Sequence, residues 1–81
     1  MVITTRQIIS KAETITNIFH DDDGIWQFLS DAPLHEEDAI IVSLDEIIQV
    51  DATSALMLNL PIGWVAWRAD KDTDWLQQAY E

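Results

Sequence analysis

The chain has 81 residues, 48% of them hydrophobic, and sets 15 Asp and Glu against 4 Lys and Arg for a formal net charge of −11. One domain is expected over residues 1–81, and at this size folding buries only about 60% of the surface the unfolded chain exposes, so each large apolar side chain bears on stability. Such a negative surface repels nucleic acid and anionic lipid, the apolar content argues against disorder, and the lack of cysteine excludes a disulfide framework and a thiol nucleophile while fitting a cytoplasmic protein.

The N-terminus offers Thr4 or Thr5 as the cap of a short helix carrying Ile8 and Ile9, and lacks the basic region and apolar stretch of a signal peptide. Thr14, Ile15, Thr16 and Ile18 place four β-branched residues in one alternating segment, which reads as a strand. Asp21-Asp22-Asp23-Gly24 reverses it, because Asp-Gly supplies the positive φ that hairpin turns need. Ile25 to Ser30 then returns, with Trp26 and Phe28 on one face and Ile25, Gln27 and Leu29 on the other. The prediction is an antiparallel hairpin over residues 14–30.

A polar connection, Asp31 to Glu37, leads to the apolar run Asp38-Ala39-Ile40-Ile41-Val42, which has strand length. Ser43 followed three residues later by Glu46 matches a capping box, and Leu44, Ile47 and Ile48 fall on one face of the helix it opens, predicted over 43–49. Asp51-Ala52-Thr53-Ser54 is a second cap signal. It opens a helix over 52–58 with Ala55, Leu56 and either Leu58 or Met57 turned inward. Pro61 ends that helix by biasing Leu60 away from helical angles. A last strand is predicted over 62–69, apolar on both faces and therefore central in the sheet. The tail Thr73 to Tyr80 suits a short capped helix or an ordered arm pinned by Trp75. The most apolar window, residues 55–67, is broken by Asn59, Pro61 and Gly63, so no membrane span is expected. The fold class is therefore α+β: a small antiparallel or mixed sheet with two short helices packed on one face.

Three stretches taken together resemble a known family. They are His20-Asp21-Asp22-Asp23-Gly24-x-Trp26-Gln27-Phe28-Leu29, then Val42-Ser43-Leu44-x-Glu46-Ile47-Ile48-x-Val50-Asp51, then Leu60-Pro61-x-Gly63-Trp64-x-Ala66-Trp67-Arg68, with Trp75 beyond them. The run, over roughly residues 14–75, is similar to small bacterial domains long grouped as a domain of unknown function and classed as predicted immunity proteins of polymorphic toxin systems. The resemblance implies a role in neutralising or regulating a partner protein. The chain departs from the family pattern at Ile25, where a polar residue is common.

Most of the matching residues have structural readings: Gly24 for its turn, Pro61 and Gly63 for the entry to the last strand, the tryptophans for the core, and Arg68 for an ion pair with a carboxylate, worth about 0 to 1 kcal/mol if exposed. Catalytic and metal motifs are missing. Asp21, Asp23 and Gly24 imitate part of a calcium loop, but its first position would be Phe19 and its twelfth Ser30. His20 and His35 lack zinc-protease spacing, there is no Gly-x-Ser-x-Gly, and Glu36, Glu37 and Asp38 beside His35 read as a solvated loop before a weak cation site. No cofactor is expected.

Three function classes fit these residues. The first is a protein-binding module for a basic partner, with Asp21, Asp22, Asp23, Glu36, Glu37 and Asp38 steering the encounter and Trp26 or Trp64 anchoring it. The second is a domain that self-associates, as a homodimer, through an uncovered tryptophan-bearing face. The third is a small enzyme, which would need a buried titratable group that spacing cannot reveal.

Overall fold

The computed structural model describes residues 1–79, as strands β1 (Val2–Thr5), β2 (Asn17–His20), β3 (Trp26–Leu29), β4 (Ala39–Val42), β5 (Trp64–Trp67) and β6 (Leu76–Ala79), with helix α1 (Arg6–Ile9) after β1 and helix α2 (Leu44–Val50) after β4. Two 3-10 segments, Glu36–Asp38 and Ala52–Met57, precede β4 and follow α2. The strands form one sheet in the order β4-β1-β3-β2-β5-β6, with β1 and β3 parallel and every other pair antiparallel. The α+β class and the mixed sheet are as the sequence implied.

The expected hairpin is β2–β3, paired from Asn17↔Leu29 to His20↔Trp26. Its loop is closed by the Asp21 amide on the Ile25 carbonyl and the Gly24 amide on the Asp21 carbonyl, both at 2.9 Å. Gly24 has φ +85°, whereas neither Asp22 nor Asp23 has positive φ. One glycine past an ordinary turn therefore makes the reversal, not a two-residue turn with both central residues left-handed.

The strand registers divide the sheet into two faces. Val42 pairs with Val2, Val2 with Trp26, Ile18 with Phe28 and Ile18 with Ala66, so these side chains share one side. There Val2, Ile18, Trp26, Phe28 and Ala66 join Ile8 of α1, Ile15, Ile47 of α2 and Leu60 in the buried core. The opposite side carries Ile3, Phe19, Gln27, Leu29 and Trp67, all half-buried, together with the exposed Ile41 and Leu76. Val65, paired with Phe19 on that second side, is buried too, but it stands outside the main core cluster.

Capping follows the sequence closely. The Thr5 hydroxyl accepts from the Ile8 amide at the start of α1, and the Ser43 hydroxyl accepts from the Glu46 amide at 3.2 Å at the start of α2. Only that half of the capping box forms among the described residues. Asp51 ends α2 and caps the segment after it, accepting from the Thr53 amide at 3.0 Å.

Three readings need correction. Val2–Thr5 is a strand that inserts between β3 and β4, although the sequence drew attention only to the cap that ends it. Ala52–Met57 is a 3-10 helix, whose three-residue repeat turns Ser54, Met57 and Leu60 toward the core and leaves Ala55 and Leu56 exposed. Leu76–Ala79 is an edge strand on β5 in place of a helix or arm, and Tyr80 lies outside the described residues. The carboxylate expected for Arg68 is Asp51, but the pair is not the exposed one for which a small contribution was given: Arg68 is 4% exposed. No helix among the described residues is long and apolar enough to cross a membrane.

Candidate functional site

At one end of the sheet the β2–β3 loop faces the segment that enters β5. The Gly63 amide donates to the His20 carbonyl at 2.6 Å, and the His20 Nδ1–H donates to the Leu60 carbonyl at 2.7 Å, which ties the two segments together. A carbonyl can only accept, so the proton of a neutral His20 sits on Nδ1. Its ring stacks on Trp26 at 3.8 Å between centroids, and Trp26 in turn packs against Phe28.

Between the segments lies a cavity of about 320 Å³ lined by Phe19, His20, Asp21, Asp22, Asp23, Gly63 and Trp64. Asp21 Oδ2 accepts from Gln27 Nε2 at 2.7 Å, and Asp23 Oδ1 accepts from the Ile25 amide at 3.1 Å. Asp22 Oδ1 stands 3.0 Å from where a Cβ on Gly63 would be. Glycine at 63, with φ +86°, therefore serves both the backbone turn and the close approach of a carboxylate. Among the described residues the ion pairs are Arg6–Asp38 and Arg68–Asp51, so no cation of the chain neutralises these three aspartates. Three carboxylates and an indole thus line one cavity, a combination whose charge favours a cation over an anion.

The structure brings Asp21, Asp22, Asp23 and Trp64 together, and separates the other expected residues from them. Trp26 is only 9% exposed, because it lies on the core side of β3 under the His20 ring, and it cannot serve as a surface anchor. Glu36, Glu37 and Asp38 precede Ala39, which pairs with Thr5, whereas the aspartate loop lies at the opposite sheet end, beyond His20↔Trp26. There Arg6 pairs with Asp38 at 3.4 Å and donates to the Glu37 carbonyl at 2.7 Å. No group of three or more His, Asp and Glu among the described residues is arranged to hold a metal ion.

Phe19, His20 and Gly63 also line the cavity and were not expected there. His20 opens the first of the three stretches quoted above and Gly63 lies inside the third, but nothing in linear spacing joins positions 20 and 63. A larger cavity of about 530 Å³ lies near Asp51 and Thr53, where Lys11 and Lys71 face Glu13 and Asp72, so its charges are mixed. No family model matches the chain, and no curated protein or solved structure does either.

Proposed function

We propose that this chain is an intracellular protein-binding module of the immunity type, which neutralises or regulates a basic partner protein and turns over no substrate. The observation that carries this reading is the convergence of Asp21, Asp22, Asp23 and Trp64 on one cavity, where the three aspartates form no ion pair among the described residues. A lysine or arginine side chain of a partner fits that space and that charge. The net charge of −11 would steer such a partner from a distance, an effect that raises association rates by about 10- to 1000-fold at low salt. The resemblance to predicted immunity proteins points in the same direction.

The test is an NMR titration with a short arginine-rich peptide, following the side-chain N–H signals of the four indoles and the backbone amides. The Trp64 indole and the amides of residues 20–24 and 63 should shift together, less so as salt rises. Because Trp64 also packs against the core, the conservative Trp64→Phe and Asp22→Asn should each weaken the response without changing the circular dichroism spectrum. Shifts scattered over the whole acidic surface, equal in the two variants, would reduce the interaction to non-specific attraction and remove this reading.

A further inference from the structure

β4 forms one edge of the sheet, paired with β1 on its inner side and, among the described residues, with no strand on its outer side. Natural edge strands are protected by brevity, by proline, by a bulge, by a charged side chain within the strand or by a covering helix or loop. Ala39-Ile40-Ile41-Val42 is short, at four residues, but carries no proline and no charge, and Ile41 is 68% exposed on the side of the sheet away from the helices. Its protection lies instead at both ends. Glu36, Glu37 and Asp38 precede it, and Asp45 and Glu46 follow in the first turn of α2. Arg6 pairs with Asp38. The other four carboxylates form no ion pair among the described residues.

This arrangement discriminates between occupants of the edge. A second copy adding its β4 antiparallel would bring its own carboxylates against the opposite acidic end, acid on acid at both ends. An extended segment with basic residues at its ends would meet opposite charge at both ends while its backbone paired with β4. We infer that the outer edge of β4 is a strand-addition site for an extended, basic-ended segment of another protein chain. Alternate side chains of that segment would lie beside Ile41 on the open side and beside Ile40 and Val42 on the helix side. The edge is separated by β1 and β3 from the strand that carries the aspartate cavity, so the inference stands apart from the proposed use of that cavity.

The probe is a capped synthetic peptide of alternating valine and threonine with two lysines at each end, and the control has glutamates in place of the lysines. With the full chain and millimolar peptide, the lysine-ended form should shift the amides of residues 39–42, slow their exchange with solvent, and bind roughly tenfold or more tighter than the glutamate-ended form. N-methylation of the peptide at alternate residues should abolish binding in one frame and spare it in the other, because one peptide edge donates to β4 and the other faces water. The triple change Asp21→Lys, Asp22→Lys and Asp23→Lys should leave this binding within about twofold if the two surfaces act separately. Absence of binding, binding that leaves residues 39–42 unmoved, equal sensitivity of both methylation frames, or a dimer of the free chain with protected β4 amides would each overturn the inference.

Discussion

Arg68 Nη2 and Asp51 Oδ2 meet at 2.5 Å where the end of β5 crosses the start of the 3-10 helix, and the guanidinium side chain is 2% exposed against 19% for the carboxylate. The rest of the guanidinium is equally committed. Nε donates to the Ile15 carbonyl at 3.0 Å, Nη1 to the Thr53 hydroxyl at 3.0 Å, and the Trp75 ring lies 4.3 Å from Cζ. One side chain thus holds together the approach to β2, the cap after α2 and the segment before β6. Asp51→Ala leaves that charge buried without its counter-ion and should destabilise by about 3 kcal/mol or more, a large share of the roughly 4 to 12 kcal/mol expected for a chain of this size. A urea titration checks this. A loss below about 1 kcal/mol would mean that the pair behaves as an exposed one.

The same pair gives stability an acid limb. Burial alone would raise the Asp51 carboxyl, but hydrogen bonds from the Thr53 hydroxyl, from Arg68 and from the Thr53 amide, with the Arg68 charge, outweigh it and hold the group below the ordinary 3.8. Between the folded and unfolded values the unfolded chain binds more protons, so this contribution is complete above the unfolded value and is lost as pH falls through the folded one. Urea midpoints measured from about pH 5 down to about pH 3 should converge for the wild type and Asp51→Asn. Asp70 is also held low, chiefly by the Thr73 hydroxyl and then by the Asp72 amide. It is fully exposed, so Asp70→Asn should leave the slope nearly unchanged.

The two glycines separate backbone strain from close approach. Gly24 has φ +85° with open space around a would-be Cβ, so Gly24→Ala should cost about 1 kcal/mol through the backbone alone. Gly63 has φ +86° and Asp22 Oδ1 at 3.0 Å from that position. Gly63→Ala should cost more than Gly24→Ala and displace Asp22, and equal midpoints with an unshifted Asp22 amide would contradict this.

Two serines should respond in opposite directions. Ser43→Ala removes the cap on the Glu46 amide and should cost about 0.5 to 2 kcal/mol. The Ser54 hydroxyl is fully buried with no hydrogen-bond partner among the described residues, so Ser54→Ala should be neutral or stabilising by up to about 1 kcal/mol. Thermal melts of the two variants, run side by side, distinguish the cases.

Reversing Asp21, Asp22 and Asp23 to Lys tests steering. Asp22 and Asp23 are exposed, whereas the half-buried Asp21 gives up its bond from Gln27, so the fold is checked first by circular dichroism; in the folded variant, association with a basic partner should slow and its salt dependence flatten. Stopped-flow rates at two salt concentrations measure this, and an unchanged slope would exclude the loop from the encounter.

Local chemistry wrote part of this structure into the chain. Asp23-Gly24 set the hairpin because only glycine takes positive φ without strain there, Ser43 and Asp51 set the helix starts because their oxygens satisfy free amides, and the alternation from Trp26 to Leu29 set which side chains share a face of β3, though not which face is core. What depended on distant neighbours could not be read in line. Val2–Thr5 became a strand because β3 and β4 offered it two edges, Leu76–Ala79 because β5 left one open, and neither pairing is encoded within four residues. Burial followed the same rule: Trp26 and Trp64 both pair with His20 on the core side of the sheet, yet Trp26 lies buried under its ring while Trp64, half-buried against the core, also lines the cavity. Asp21, Asp22, Asp23 and Trp64 were legible as residue types suited to binding. Their meeting was decided by the hydrogen bonds that join His20 to Leu60 and Gly63, across forty residues of chain.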